Sequence, residues 1–295
     1  LCLDTTDLDA LVETVKRIAP SFGGINLEDI ESPKCFHLLD RLRDEMDIPV
    51  WHDDRQGTAT VILAGVMSAL ELQGRTPEGT RFVLFGAGAS NLAVADLLAL
   101  WGVPPGNITL LDSRGILHMD SAATPDNPMK SKWARISNTE QRKGGLAEAL
   151  PGAHVLIALS TPGPGVIPPE LIRSMHPDPI VFSCANPVPE IWPWEAQEAG
   201  ASIVATGRSD FPNQLNNSLV FPGVFRGALD IRATTITDEM CVAAARAIVD
   251  RARDIGLSAN HLVPTMEDPL ITPLVARAVA GKAVEMGLAK APQAL

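Results

Sequence analysis

The first 54 residues alternate between apolar patterns typical of helices and of strands. Apolar positions at helical spacing predict an amphipathic helix over residues 8–16, with Asp7 as its N-cap. The apolar run at 21–30 predicts a buried strand that enters an acidic loop, and 48–54 predict a short strand ending in two aspartates. Between them, Ser32 as N-cap and Pro33 as the first helical residue predict a helix to about residue 46.

The central part of the chain has the pattern of a parallel sheet with helices on both faces. Residues 57–72 are apolar almost all round, which predicts a buried helix. A strand, glycine turn, helix and second strand follow, with the helix over 91–101. Further apolar runs are separated by helical or proline-rich turns, and they lie at 154–160, 179–186 and 202–206. The sequence therefore predicts an α/β fold with a Rossmann-like, doubly wound parallel sheet.

Two regions differ from this alternation. Residues 115–143 are polar and irregular and contain Pro125 and Pro128, so no regular element is predicted there. Residues 237–256 and 272–287 are rich in alanine and predict two C-terminal helices.

Composition narrows the class of protein. The 295 residues carry a net charge of −11, which argues against a nucleic-acid binder and against a polybasic membrane surface. A hydrophobic content of 46% excludes intrinsic disorder, and no apolar run reaches the roughly 18 residues of a membrane span. Four scattered cysteines indicate reduced thiols, so a cytoplasmic protein is expected. The chain has no tyrosine, so no tyrosine of its own can act as a general acid.

The turn at 86–91 has the first two glycines of a dinucleotide fingerprint. Gly86 permits a tight turn, and Gly88 lets the backbone approach a pyrophosphate at a helix N-terminus. Asn91 stands at the third position in place of glycine or alanine, so the fingerprint is imperfect. A strand precedes the turn, a helix follows it, and Asp112 ends the next strand, where an acid binds ribose hydroxyls. This context favours a dinucleotide site over a purely structural turn.

The residues after the second strand bear on the choice of cofactor. Asp112 favours NAD, because a carboxylate repels the 2′-phosphate of NADP. Arg114 can pair with that phosphate or can be a solvated turn residue. We therefore predict NAD, with NADP as the alternative.

Two acidic pairs follow predicted strands, Glu28 with Asp29 and Asp53 with Asp54. Carboxylates that converge at strand ends form a hard-oxygen site for Mg²⁺ or Mn²⁺. By themselves such pairs are more often solvated loop ends or helix caps, so both interpretations stay open.

Two asparagines are candidate substrate ligands. Asn186 ends an apolar run, where ligands bind to open α/β sheets, and an amide can contact a carboxylate without adding charge. Asn217 lies in a polar segment further along. Turn formation and helix capping are the competing explanations for both residues.

Seven segments between residue 22 and about residue 233 together resemble the bacterial malic enzymes. They are GGINLEDI, IPVWHDDRQGTA, FGAGASNLA, LDSRG, CANPVPEI, ATGRSDFPNQLNN and FPGVFRGALDIRA. The resemblance implies metal-dependent oxidative decarboxylation of (S)-malate to pyruvate and CO₂, with reduction of NAD or NADP.

The resemblance also implies roles for individual residues. Glu28, Asp29 and Asp54 match the ligands of the Mg²⁺ or Mn²⁺ ion, and Asp53 lies beside the catalytic groups and helps to set the general base. Asn186 and Asn217 match residues that contact malate or nicotinamide. Residues 87–90 match the cofactor-phosphate loop of the family. Combined with the fingerprint residues, the expected cofactor site consists of Gly86, Ala87, Gly88, Ala89, Ser90, Asp112 and Asn186.

The sequence departs from the family pattern at two places, and these departures bear more on the predicted geometry of the cofactor site than on the predicted class of reaction. Arg55 and Gln56 replace the usual bacterial Gln-His pair before Gly57, and Asn91 replaces the glycine or alanine already noted.

The family's general acid and base, a tyrosine and a lysine, precede the position that matches Leu1. We therefore hypothesise that this chain is the metal- and cofactor-binding part of a malic enzyme and lacks full activity alone. Residues 1–56 would be the last part of the N-terminal metal and substrate domain, the remnant of an α/β catalytic domain. Residues 57–295 would be the Rossmann domain with C-terminal helices.

The resemblance further suggests a homodimer or higher homo-oligomer that acts on malate and pyruvate. Two other hypotheses remain at this stage. One is another Rossmann oxidoreductase, of the amino-acid-dehydrogenase type, and the other is a non-catalytic nucleotide-binding fragment.

Overall fold

The computed structural model describes residues 1–122 and 127–291 of the chain. Within those ranges the strands are β1 (Ile25–Leu27), β2 (Val50–His52), β3 (Phe82–Phe85), β4 (Ile108–Asp112), β5 (Gly115–Ile116), β6 (Val155–Ala158), β7 (Ile180–Ser183) and β8 (Ile203–Thr206). The helices are α1 (Leu8–Ile18), α2 (Lys34–Glu45), α3 (Thr58–Leu72), α4 (Ala89–Trp101), α5 (Pro128–Ile136), α6 (Leu146–Ala149), α7 (Pro169–Ile172), α8 (Pro193–Glu198), α9 (Phe221–Asp230), α10 (Asp238–Ile255) and α11 (Ile271–Glu285).

The larger sheet has the order β5-β4-β3-β6-β7-β8. Its last five strands in this order are parallel, and β5 is an antiparallel edge strand. The chain builds the sheet outward from β3 in one direction and then from β6 in the other. Ligands of open α/β sheets bind beyond the carboxyl ends of the strands at such a switch point. The predicted α/β fold with a doubly wound, mainly parallel sheet is confirmed.

Side chains of the sheet alternate between two apolar cores. In β3, Phe82 and Leu84 belong to the core on one face, and Val83 belongs to the core on the other. Both faces are thus covered, which explains why the parallel strands are apolar at nearly every position. Helix α3 is buried along most of its length and contacts α4 and α10, so it belongs to the core of this chain.

The N-terminal part forms a small layer of its own. Strands β1 and β2 are parallel, with Leu27 opposite His52, and α1 and α2 bury their apolar faces against them. Because parallel strands end at the same edge, this register places the acidic residues after Leu27 beside those after His52.

The structure differs from the predicted elements in three places. Helix α2 begins at Lys34, with Pro33 and not Ser32 at the N-cap position. Helix α4 begins at Ala89, two residues before the predicted start. The segment 115–143 contains β5 and α5, and Pro128 is the first residue of α5 and does not break it. Residues 123–126 of that segment, including Pro125, lie outside the described residues.

Candidate active site

The acidic pairs meet at the carboxyl edge of β1 and β2. Asp29 has a positive φ of 55°, and its backbone N–H donates a 2.9 Å hydrogen bond to Oδ2 of Asp54. The backbone of residues 53–57 forms a π-helical turn that leads into α3. The structure therefore brings together the two pairs that the sequence predicts as a metal site.

The carboxyl groups of Glu28, Asp29 and Asp54, which we call the acidic cluster, repel one another. Partial burial raises the pKa of Glu28, and the nearby charges of Asp54 and Asp29 raise it further. A 2.6 Å hydrogen bond from Asn26 Nδ2 to Glu28 Oε1 opposes this shift. A divalent cation would relieve the repulsion, and three carboxylates are the oxygen ligands that Mg²⁺ and Mn²⁺ prefer. The donor set therefore fits such an ion.

The side chains are not arranged as a finished coordination shell. Among residues 1–122 and 127–291, no three or more His, Cys, Asp or Glu side chains are grouped so that they could hold a metal ion. The carboxylates of Glu28, Asp29 and Asp54 would have to turn toward a common point to ligate one.

Asp53 occupies a different environment from the other three acids. Its side chain is buried, and it accepts hydrogen bonds from Asn217 Nδ2 at 2.7 Å and from Trp51 Nε1 at 3.4 Å. Burial is the main reason that the pKa of Asp53 is raised to about 6; the Trp51 bond lowers it, and the charges of Glu28 and Asp54 raise it. The carboxyl group is thus fixed in one orientation beside the acidic cluster.

The glycine turn after β3 lies at the switch point of the sheet. Gly86 has a φ of +96°, and a Cβ there would strike the carbonyl of Leu159, which follows β6. A Cβ on Gly88 would meet open space, and Gly88 has no side chain to cap the first N–H groups of α4. These N–H groups and the helix dipole are available to a pyrophosphate. The turn therefore fits a dinucleotide.

Ser90 joins the turn to the acidic cluster. Its Oγ donates a 2.8 Å hydrogen bond to the backbone carbonyl of Asp54. The next residue, Asn91, is fully buried, and its Nδ2 donates to the carbonyls of Phe85 and Gly86, both at 3.0 Å. The departure from the glycine fingerprint is therefore a structural support for the turn itself.

Asp112 ends β4 as predicted, but its carboxylate already has partners. It accepts from the Arg114 N–H at 2.9 Å and from Lys130 Nζ at 3.0 Å, and the Arg114 guanidinium is 3.5 Å away. Burial alone would raise the pKa of Asp112, but these hydrogen bonds and positive charges outweigh it and hold the pKa below its usual range. The carboxylate is ionised and partly neutralised by two cations.

The asparagines lie beyond the last two strands. Asn186 follows β7, and its side chain is exposed beside Gly207. Asn217 begins a short 3₁₀ turn after β8 and reaches back to Asp53. Asn217 is therefore held at Asp53, beside the acidic cluster, and Asn186 lies near the carboxyl edge that carries the glycine turn.

The unusual pair after Asp54 is packed inside the protein. Arg55 places its guanidinium over the ring of Phe36, 4.7 Å from the ring centroid. Gln56 Oε1 accepts from the His52 N–H at 3.2 Å, and its Nε2 lies 4.0 Å from Cys241 Sγ. Both side chains are buried and serve local packing.

Sequence reasoning did not single out two polar residues near these sites. Lys130 lies in the segment for which no element was predicted, and only the fold brings it to Asp112. Glu190 is fully buried and accepts hydrogen bonds from residues after β6 and in and after β7. An acid within an apolar, proline-rich run was the available signal for Glu190.

No described helix combines the length and the apolar character that a membrane crossing requires.

Two family models of known proteins match this chain. The family model "Malic enzyme, NAD binding domain" matches residues 55–284, and "Malic enzyme, N-terminal domain" matches residues 4–43. A bifunctional malic/malolactic enzyme of Bacillus subtilis is 46% identical over 98% of this chain and 70% of its own length. An NAD-dependent malic enzyme of Geobacillus stearothermophilus is 44% identical over 98% of this chain and 59% of its own length.

A solved structure shows the same likeness. The crystal structure of the Entamoeba histolytica malic enzyme matches 99% of this chain and 62% of its own chain, with a TM-score of 0.96 and 47% identity. The chain thus spans between 59% and 70% of the length of these relatives. Relatives named for NAD and relatives named for NADP both occur among the matches. With a family model covering most of its length and this degree of identity, the chain belongs to the malic enzyme family.

Proposed function

We propose that this chain binds the metal, the cofactor and part of the substrate in the oxidative decarboxylation of (S)-malate to pyruvate and CO₂. The observation that carries the proposal is the hydrogen bond from Ser90 Oγ to the Asp54 carbonyl, which joins the cofactor turn to the acidic cluster. In this reaction the C2 hydrogen leaves as hydride to NAD or NADP and the hydroxyl hydrogen leaves as a proton. The carboxylate β to the new carbonyl leaves as CO₂, and a proton replaces it.

The acidic cluster is the proposed metal site. Glu28, Asp29 and Asp54 would hold Mg²⁺ or Mn²⁺, since they interact electrostatically and provide only oxygen ligands. A bound cation would supply positive charge that stabilises negative charge on the C2 oxygen, and a bound nicotinamide would supply the acceptor for the hydride. Asp53 would orient the general base that takes the hydroxyl proton. The hydrogen bonds from Asn217 and Trp51 hold the Asp53 carboxyl in place for this role. Asn186 and Asn217 offer amide groups to the substrate or to nicotinamide.

The cofactor is proposed to be NAD, with NADP as the alternative. Asp112 is ionised and lies at the end of β4, where it can accept from ribose hydroxyls. Lys130 and Arg114 weaken the discrimination against a 2′-phosphate, because they place positive charge beside the same carboxylate.

The family likeness supports a homodimer or higher homo-oligomer, which light scattering of the purified protein would test. The buried free thiols of Cys35, Cys184 and Cys241 support a reducing compartment, and we propose the cytoplasm.

Isothermal titration calorimetry tests the proposed sites without requiring turnover. NADH should bind in the absence of metal, and oxalate, an analogue of the enolate of pyruvate, should bind only with Mn²⁺. EDTA should abolish oxalate binding, and added Mn²⁺ should restore it. Asp54→Asn should weaken the Mn²⁺-dependent binding, and the matched control Asp40→Asn, which removes an exposed carboxylate from α2, should not.

The same titrations separate the other hypotheses. A protein that only binds nucleotides would take NADH and show no Mn²⁺-dependent binding of oxalate. An oxidoreductase of the amino-acid-dehydrogenase type would bind NADH, and EDTA would change none of its ligand binding. Either result would contradict the malic enzyme function proposed for this chain.

A further inference from the structure

Glu190 is a fully buried carboxylate held between two loops at the carboxyl edge of the sheet. Its Oε1 accepts from the N–H of Ser160 at 2.7 Å and from Ser160 Oγ at 3.0 Å. Its Oε2 accepts from Ser183 Oγ at 2.9 Å and from the Ala185 N–H at 3.2 Å. Four donors compensate for the burial of the charge, two from the segment after β6 and two from the end of β7.

Each of these segments continues into the candidate cofactor site. Ser160 directly follows Leu159, whose carbonyl lies against Gly86 in the turn that would hold the pyrophosphate. Ala185 directly precedes Asn186, which would contact malate or nicotinamide. One carboxylate thus connects the backbone beside the phosphate turn to the backbone that carries Asn186. Because Glu190 is itself buried, it can act on the cofactor only through these neighbours.

We propose that Glu190 is a positioning residue that sets the distance between the loops after β6 and β7 and so places Asn186 against the nicotinamide half of the cofactor. The inference rests on the proposed function and adds a residue to it. A carboxylate is required because a glutamine amide has one acceptor oxygen and an NH₂ group that only donates. In Glu190→Gln that NH₂ would face either the two Ser160 donors or the donors of Ser183 and Ala185.

The strands do not depend on Glu190 for their pairing. The β6–β7 ladder is complete from Val155 to Ala158, and the Cys184 N–H extends it by donating to the Ala158 carbonyl at 2.9 Å. Apart from the Ser183 hydroxyl, the donors to the carboxylate among the described residues lie in the segments beyond the ladder. The variant Glu190→Gln is therefore expected to keep the sheet and to change the placement of the two loops.

The test compares NADH with ADP-ribose, which lacks the nicotinamide, as calorimetric ligands of the whole chain. Glu190→Gln should weaken NADH binding about tenfold and ADP-ribose binding about twofold or less, since either orientation of the amide leaves one pair of buried donors without an acceptor and shifts the Asn186 loop relative to the nicotinamide. The matched control is Glu195→Gln, which removes a carboxylate that accepts from the Trp192 N–H at 3.2 Å at the start of α8. This control should change neither dissociation constant, and circular dichroism should show all three proteins folded.

Equal losses for both ligands would overturn the proposal, because they would indicate general loosening of the edge, and unchanged NADH affinity would overturn it as well. If Glu190→Gln does not fold, Ser183→Ala gives the same test, since it removes one donor to Oε2. If Ser183→Ala loses more affinity for NADH than for ADP-ribose, the proposal is supported, and equal changes in the two affinities overturn it. If the unaltered chain binds neither nucleotide, the proposed function itself fails, which is a distinct result.

Discussion

Asn217 Nδ2 donates a 2.7 Å hydrogen bond to Oδ2 of Asp53, joining positions separated by 164 residues of sequence. Asp53 follows the small β1–β2 layer, and Asn217 follows the last strand of the large sheet. The same contact orients a buried carboxyl group and ties the acidic cluster to the nucleotide-binding part of the fold. The candidate site therefore contains residues that follow strands of both sheets.

Removing the hydrogen bond between Asn217 and Asp53 should weaken the Mn²⁺-dependent binding of oxalate at the acidic cluster. In Asn217→Ala, Asp53 Oδ2 loses its amide donor, and a hydrogen bond to a charged group contributes about 1.5–3 kcal/mol. Mn²⁺-dependent oxalate binding, measured by calorimetry, should therefore fall by roughly 10- to 100-fold. The neighbouring Asn216→Ala is the control, because the Asn216 side chain accepts from Ser218 within its own turn and has no hydrogen bond to Asp53 among the described residues. Equal losses in the two variants would show that Asn217 has no special part in the site.

The two glycines of the phosphate turn should respond differently to alanine. Gly86→Ala introduces a Cβ at a φ of +96° and against the Leu159 carbonyl, so it should lower the free energy of unfolding by about 1–3 kcal/mol or more. Gly88→Ala meets open space in the protein, so its stability should be unchanged while NADH affinity falls at least about tenfold. Urea unfolding and calorimetry measure both effects. Unchanged NADH affinity in Gly88→Ala would place the pyrophosphate elsewhere.

The parts of the site that follow from local pattern were predictable. The doubly wound sheet follows from short apolar runs separated by turns, and the phosphate turn follows from Gly86 and Gly88 between a strand and a helix. The meeting of the acidic pairs follows from two strands that are each followed by acids, once the strands are known to be parallel. In each case a short sequence pattern predicts the element, and the meeting of the acidic pairs needs the pairing of β1 with β2 as well.

The parts that depend on long-range contacts were not predictable. Helix α5 begins at a proline in a polar segment, so the placement of Lys130 beside Asp112 needs the folded chain. The four donors that surround Glu190 come from the segment after β6 and from the end of β7 and the residues after it, and no spacing in the sequence shows that they converge. In the sequence, Asn91 is a departure from the dinucleotide fingerprint. Its two hydrogen bonds to backbone carbonyls, which only the structure shows, indicate that it supports the turn.

Lys130 should influence the choice between NAD and NADP. Its ammonium neutralises part of the Asp112 charge, so Lys130→Gln should weaken NADP(H) more than NAD(H). We expect the ratio of the two dissociation constants to change by about tenfold, or ~1.4 kcal/mol. Lys132→Gln is the control, because Lys132 pairs with Asp96 on α4 and not with Asp112. A parallel loss for both cofactors in Lys130→Gln would show that Lys130 does not discriminate between them.

The stability of the fold should depend on pH through His154, at the start of the β6 segment and far from the acidic cluster in sequence. Its Nδ1 accepts from the Arg81 N–H at 2.9 Å, and its ring lies 4.4 Å from that of His176. Burial, and then the charges of Arg75, His176 and Arg81, lower the pKa of His154 to about 4.

Because this value is below that of an unfolded histidine, about 6.5, protons bind first to the unfolded chain as the pH falls. The contribution of His154 is therefore complete above about pH 6.5 and is lost progressively toward pH 4, by on the order of 1 kcal/mol at pH 5 once solvent screening is considered. Urea unfolding at pH 7.5 and about pH 5 should show a smaller difference in His154→Gln than in the unaltered protein. The exposed His37→Gln should keep the full difference, and an unchanged difference in His154→Gln would assign the effect to other groups.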